Sequence, residues 1–295
     1  MTQLPLHSSQ VTVQVTVIVT CYNQAPTLRL LLTSLKRQTI SVLAFEVVIV
    51  DDGSSDSSAK VAQEDWGFRL KFVTQEDLGY RKSKILNQAI RQSQTDYIVF
   101  LDADVVLEKH FLEDHLTLRK VGHFVCGRRV DLGPEFSHPL QSPEANVGSN
   151  DVMRGEFDSL SLKLLLSGLR KDSHSVKRGL RIVLPWLRKV LHYDRPVDLL
   201  GSNFSLWKAD ILAVNGFNEA MESYWGEDGD LFIRLRNSGK SVVGAKGLCI
   251  QFHIFHARRP PSPENIEHYQ KLLQDREYRW ALKGYQESKI ENPAK

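Results

Sequence analysis

Two carboxylates one residue apart, Asp102 and Asp104, end an apolar run that begins at Tyr97 (YIVFLDADVV). Asp is a poor strand residue and is rarely buried unpaired. The spacing therefore predicts a strand over 97–101 with both acids at its carboxyl end, where open α/β sheets hold their ligands. Oxygen donors so spaced suit a hard divalent cation, Mg2+ or Mn2+, able to bridge to a diphosphate. The competing reading of the same pair is a turn, or the cap of a following helix. Further along, Glu227 and Asp228 offer two adjacent carboxylates for general-base work, and His253 and His256 offer two imidazoles at i and i+3.

Those side chains need a frame to hold them. VTVQVTVIVT, over 11–20, is β-branched and ends in the turn Cys21-Tyr22-Asn23-Gln24. Pro26 opens a helix to 38, with Leu28, Leu31, Leu32 and Leu35 at helical spacing. A strand over 45–50 stops at Asp51-Asp52-Gly53-Ser54-Ser55-Asp56, a cluster suited to a turn and to the cap of a helix near Ser57. A strand over 70–73 and a helix over 81–92 lead to the strand bearing Asp102. This alternation predicts an α/β fold, a mostly parallel central sheet flanked by helices with right-handed crossovers. The strand ends near Asn23, Asp51 and Asp102 then lie along one edge.

The second half is less regular. Residues 133–150 lose periodicity and read as a loop. Helices are expected over 159–169 and 177–191, the latter kinked or split by Pro185. A strand over 198–207 around Gly201-Ser202-Asn203 follows, then a helix over 208–214. A helix to 237, a strand over 241–245 and a C-terminal helix over 264–283 complete the reading.

Composition excludes several classes. The chain has 295 residues, 42% hydrophobic and 25% charged, which is ordinary for a globular protein with a sizeable core. Net charge is +3, too small to predict a nucleic-acid partner. It is unevenly spread: residues 161–195 hold nine Lys/Arg against two Asp, a local +7, so the remainder sums to −4. Leucines alternate with those cations. Such segments either bind an anionic surface, membrane or glycan, or pack on the body with solvated charges. Cys21, Cys126 and Cys249 are too dispersed for a disulfide framework and read as buried small hydrophobes. MTQLPLHSSQ lacks the pattern of a secretory signal, and no apolar run approaches the roughly 20 residues of a membrane span. The expectation is a cytoplasmic protein, with peripheral membrane contact through 161–195.

VTVIVTCYNQ, EVVIVDDGSSDSS, FLDAD and WGEDGDLFIRL, in that order, resemble the motifs of inverting family 2 glycosyltransferases with a GT-A fold. The resemblance runs from about Val11 to Arg259. WGED further resembles the C-terminal motif of galactosyl- and N-acetylgalactosaminyltransferase-like members, including chondroitin-polymerase-type enzymes. It implies one GT-A domain over 1–295: a nucleotide-sugar half (11–130), a basic helical insertion (155–195), an acceptor and catalytic half (196–260) and the C-terminal helix (261–295).

The resemblance also implies roles. Thr20, Tyr22 and Asn23 would line the base pocket, and Asp51 or Asp52, with Asp51 favoured, would accept from uracil N3–H. Arg81 resembles the diphosphate- or uridine-contacting Arg, and Lys84 follows it at i+3. Asp102 is placed at the ribose with Ala103 beside it, Asp104 on the metal, and His256 or its neighbour His253 as a further ligand. Mixed carboxylate and imidazole ligation favours Mn2+ over Mg2+. Asp228 is the expected base and Glu227 orients hydroxyls, although the pair also suits a helix cap. Trp225 and Gly226 would contact substrate, the indole stacking on a sugar ring, and Asn203 would shape the acceptor side. The implied activity is metal-dependent transfer from a UDP-sugar, UDP-Gal or UDP-GalNAc favoured, to a glycan or lipid-linked oligosaccharide in polysaccharide biosynthesis. The alternatives are a carbohydrate-binding or scaffold protein without turnover, and a phosphotransferase of the DxD type. The latter normally carries its motif on the first strand. No GxGxxG follows the first strand, which removes a dinucleotide-binding reading.

Overall fold

The computed structural model describes residues 12–141, 157, 161–257 and 260–287. The N-terminal decapeptide, the start of the expected insertion and the end of the chain lie outside them.

The first half alternates as its sequence predicts: β1 (Val15–Cys21), α1 (Ala25–Lys36), β2 (Phe45–Asp51), α2 (Ser58–Ala62), β3 (Arg69–Thr74), α3 (Lys82–Gln92) and β4 (Tyr97–Asp102). These strands pair in parallel, with Cys21 opposite Asp51 and Thr20 opposite Asp102. α1 buries Leu28, Leu31, Leu32 and Leu35 on one face of the sheet, and α3 buries Ile85, Leu86, Ala89 and Ile90 on the other. The strands are apolar nearly throughout because both faces are covered.

Beyond β4 the chain forms β5 (Val105–Leu107), α4 (Phe111–Leu118), β6 (His123–Cys126) and β7 (Arg128–Asp131). It then forms β8 (Phe204–Trp207), β9 (Ser241–Gly244) and β10 (Ile250–His253). The seven-stranded sheet has the order β3-β2-β1-β4-β8-β6-β9, and β8 alone within it runs antiparallel. The chain winds outward from β1 to β3 and returns on the other side of β1 as β4, so the carboxyl ends of β1 and β4 flank a topological switch point.

A second, three-stranded sheet has the order β5-β10-β7. In its register His253 stands opposite Val105 on one side and Asp131 on the other. Asp104 immediately precedes β5, so this register alone brings Asp104 and His253 together. Ile254 N donates to Asp104 O at 2.9 Å and locks the arrangement.

The structure corrects several boundaries. The loop expected from 133 begins with α5 (Pro134–Gln141). Phe136 and Leu140, one turn apart, are buried with Phe157, Phe252 and Ile254, and that burial overrides the helix-breaking Pro139. The basic region contains α6 (Leu162–Leu169), a short 3-10 turn and α7 (Pro185–Val190), which Pro185 starts rather than kinks. Gly201-Ser202-Asn203 is a turn that precedes β8, not a strand. α8 (Lys208–Leu212), α9 (Glu227–Asn237) and α10 (Pro263–Leu272) follow, and α10 ends well short of 283. Among the described residues no helix is long and apolar enough to cross a membrane. All three cysteines are free and buried, and burial pushes the Cys21 and Cys126 thiols up to about 12.

Candidate active site

Three donor groups converge where β5 and β10 meet. His253 Nε2 lies 3.6 Å and His256 Nε2 3.4 Å from Asp104 Oδ2, and the three ligand atoms fall within 4.8 Å of one another. Gln24 Nε2, in the turn after β1, donates to the same oxygen at 3.2 Å. Asp104 Oδ1 is buried with no hydrogen-bond partner among the described residues. Burial opposes ionisation of this carboxyl, yet His253, then His256 and Arg129, outweigh it and hold the pKa down to about 2. A permanently charged, under-coordinated carboxylate facing two imidazoles fits a divalent cation. His253 Nδ1 in turn faces Asp131 at 3.7 Å, the carboxylate–imidazole relation that orients histidine ligands. Asp131 was not expected from sequence, since only the pairing of β7 with β10 brings it here.

A second cluster adjoins the first. Thr20 Oγ1 donates to Asp102 Oδ1 at 2.5 Å, and Lys82 Nζ reaches the same oxygen at 2.9 Å. Lys82 also lies 3.3 Å from Glu227, which accepts from the Tyr80 hydroxyl at 3.0 Å. Burial works against the Lys82 charge, but Asp102 and Glu227 outweigh it and raise its pKa well above the ordinary value. Lys84, the lysine expected here, is two residues further along α3 and so on nearly the opposite side.

Asp228 sits at the second position of α9, where it accepts from Gly201 N at 2.9 Å and Gly229 N at 2.8 Å. A Cβ on Gly201 would stand 3.2 Å from Asp228 Oδ2, so glycine is what lets this backbone come close. Burial, with the neighbouring Glu227 charge, pushes the Asp228 pKa up to about 6. A carboxylate poised there can take a proton near neutral pH. Thr20, Lys82, Gly201, Glu227 and Asp228, with apolar Leu86, Phe100, Phe204 and Phe217, line a small open cleft.

The β1 and β2 ends form the adjoining wall. Asn23 Oδ1 accepts from Ser55 N and Asp56 N, tying the two loops together. Tyr22 is half-buried, with its hydroxyl 3.0 Å from Asp77. Asp51 accepts from Ser54 N at 2.9 Å, from the Ser54 hydroxyl and from Thr74 Oγ1 at 2.9 Å. One of its roughly four acceptor positions remains. Asp52 takes Gln75 Nε2 and Arg81 N, and the Arg81 guanidinium folds back on Glu76 O. Ala103 is fully buried, with its methyl in the core and its N–H donated to Thr20 O at 2.9 Å.

Just before α9, Trp225 is 37% exposed and meets Tyr269 edge-on at 5.5 Å. Trp225 and Gly226 both adopt positive φ, +83° and +106°, at the entry to α9. Asn265 Nδ2 holds this turn by donating to Ser223 O and Trp225 O. Asn203 does not face the site. It is fully buried, donates to Arg128 O and Cys249 O, and contacts His115, so its side chain is consumed by the frame.

Known proteins resemble this chain in sequence and fold. Residues 16–160 match the glycosyl transferase family 2, and residues 184–257 match the N-terminal domain of galactosyltransferase. Validoxylamine A glucosyltransferase of Streptomyces hygroscopicus subsp. jinggangensis is 30% identical over 230 residues, 76% of this chain and 51% of that protein. Escherichia coli chondroitin synthase is 22% identical over 264 residues, 84% of this chain and 35% of that one. The chain thus spans about half or less of the length of these curated relatives. S. aureus TarS 1-349 in complex with UDP-GlcNAc superposes with a TM-score of 0.58 at 18% identity, covering 88% of this chain and 65% of that one. Mannosyltransferase PcManGT from Pyrobaculum calidifontis, in complex with GDP-Man and Mn2+, gives 0.54 at 16% identity, with 89% and 69% covered. The fold is that of the GT-A transferases, and over residues 16–160 the chain carries a glycosyl transferase family 2 domain.

Proposed function

We propose that this chain is a metal-dependent inverting glycosyltransferase that moves a hexose from a UDP-sugar, UDP-Gal or UDP-GalNAc, to a glycan or lipid-linked oligosaccharide in polysaccharide biosynthesis, on the cytoplasmic side. The observation that carries the reading is Asp104, whose buried Oδ1 lacks a partner while two imidazoles face Oδ2. Asp104, His253 and His256 would hold the cation, Mn2+ by their mixed donor set. Such an ion supplies charge stabilisation to a departing diphosphate.

The other roles follow from charge and position. The β1 and β2 ends, with Thr20, Tyr22, Asn23 and Asp51 or Asp52, would cradle the uridine, Asp102 the ribose, and Arg81 the diphosphate. Asp228 takes the proton from the acceptor hydroxyl, whose oxygen then attacks the anomeric carbon opposite the leaving UDP. Its raised pKa, about 6, supports that role. Glu227 is held by Tyr80 and Lys82, which suits a carboxylate that orients sugar hydroxyls. Lys82 keeps positive charge between Asp102 and Glu227, so that three carboxylates crowd one cleft without mutual repulsion. Trp225 offers an exposed ring to the acceptor.

The galactosyltransferase match over residues 184–257 supports the galacto donor. A glucose donor is the second reading, favoured by the likeness to a glucosyltransferase over 230 residues. A panel of UDP-sugars with Mn2+, scored by UDP release and by thermal protection, separates them. UDP-Gal or UDP-GalNAc is expected to give the largest response. A preference for UDP-Glc selects the second reading, and no response to any UDP-sugar overturns both.

A further inference from the structure

The basic region inverts the usual pattern of a surface helix. On α6, Leu162, Leu166 and Leu169 share one face at i, i+4 and i+7, and that face is turned to solvent: Leu162 is 72% and Leu169 79% exposed. Leu164 and Ser167, on the other side, are buried. On α7, Trp186 and Val190, one turn apart, are 64% and 66% exposed, while the cation Arg188 is buried and bonded to Lys246 O and Gly244 O. A helix that packs on a body buries its apolar stripe, and these two present it. Among the described residues, ten of the eighteen exposed large hydrophobics fall within 162–191. Exposure concentrated in one segment in this way marks an interaction surface.

Charge identifies what covers it. Arg181 is tied to Asp114 on α4 and Arg188 to the backbone, so these two anchor the segment to the body. Arg170, Lys171, Lys177 and Lys189 are exposed and pair with no carboxylate among the described residues. Exposed leucines and a tryptophan between unpaired cations are the two signals that together hold a protein on an anionic bilayer. An acidic protein partner would match the cations but calls for a shaped apolar groove, whereas these side chains stand out from two short helices.

We propose that α6, α7 and the segment between them form a docking surface for an anionic lipid membrane, with the apolar side chains inserted among the acyl chains and the lysines at the headgroups. The buried side of the segment rests beside the strand that carries His253: Leu164 belongs to one core cluster with Phe252 and Ile254, which flank His253, and His174 bridges to Asp131. Docking would therefore hold the body that carries the cation cluster at the bilayer, where an acceptor carried on a lipid resides. The inference does not depend on the chemistry of the site and is tested without turnover.

The full chain is sedimented with phosphatidylcholine vesicles with and without phosphatidylglycerol. Binding is expected to be at least about tenfold tighter with the anionic lipid and to weaken with salt. Lys171→Glu, Lys177→Glu and Lys189→Glu combined should weaken it on the order of a hundredfold. Leu169→Ser with Trp186→Ser should abolish it, and thermal unfolding of both variants should match the wild type because these positions are exposed. Binding to neither vesicle, equal binding to both, or retention by the variants overturns the proposal. A concentration-dependent dimer that Leu169→Ser removes, without vesicle binding, also overturns it and assigns the face to a second copy of the chain.

Discussion

Lys82 Nζ lies 3.3 Å from the Glu227 carboxylate, so that a cation from the first turn of α3 meets an anion from the first turn of α9. The same Nζ holds Asp102 at 2.9 Å, joining the end of β4 to the start of α9. Lys82→Met should therefore act at two levels. Leaving two carboxylates without their partner costs about 1–3 kcal/mol, read as a lower Tm. The donor KM should rise by roughly tenfold or more, with Lys82→Arg recovering part of the Tm but less of the KM.

The pH dependence has a defined sign. As the proposed base, Asp228 would act only when ionised, and burial beside Glu227 pushes its pKa up to about 6. kcat/KM should fall as pH drops through about 6, and lie on a plateau above it. For stability the sign is opposite: a carboxyl whose pKa is raised on folding favours the folded state most at low pH, and that contribution is lost as pH rises through about 6. Asp228→Asn should lower kcat by about 10²–10⁴, with UDP binding by calorimetry unchanged. Retention of full transfer by this variant would remove Asp228 as the base.

Gly201 tests how closely the base is held. A Cβ there meets Asp228 Oδ2 at 3.2 Å and must displace the carboxylate or its N–H donor. Gly201→Ala should reduce kcat by roughly tenfold with the donor KM little changed, because a small misplacement at the reacting group is felt in the transition state. Gly226→Ala, at φ +106°, should instead cost about 1–2 kcal/mol of stability, measured by denaturant unfolding.

The cation ligands should differ in weight. Of the proposed ligands, Asp104 is the charged and best-buried member, His253 Nδ1 faces Asp131 at 3.7 Å, and His256 has a side chain 43% exposed. Mn2+ affinity by calorimetry should fall most for Asp104→Asn, less for His253→Ala and least for His256→Ala. Asp131→Asn should weaken it by about 10–100-fold through His253 alone. Unchanged Mn2+ affinity in His256→Ala would remove the third ligand.

How much of this the sequence carried depends on how local each signal is. Asp51, Asp102 and Asp104 were legible because each ends an apolar strand, and a charge there has few places to go. Lys82 was passed over for Lys84, which stands at i+3 from Arg81. α3 begins at Lys82, so Arg81 lies outside the helix and that spacing does not apply. Asp131 and His253 meet only through the parallel pairing of β7 with β10, a contact that no local pattern encodes. Asn203 sits between Gly201 and β8 as though aimed at the site, but burial and its bonds to Arg128 and Cys249 assign it to the frame. The helix over Pro134–Gln141 was hidden by Pro139 and its polar neighbours, since the apolar contacts that stabilise it come from β10.

The most direct test of the account is UDP release from UDP-Gal, followed with and without Mn2+, in the wild type and in Asp104→Asn. The account predicts release by the wild type that requires Mn2+ and stops on chelation, and neither release nor Mn2+ binding by the variant. Release that persists in chelator, or that Asp104→Asn leaves intact, would contradict it.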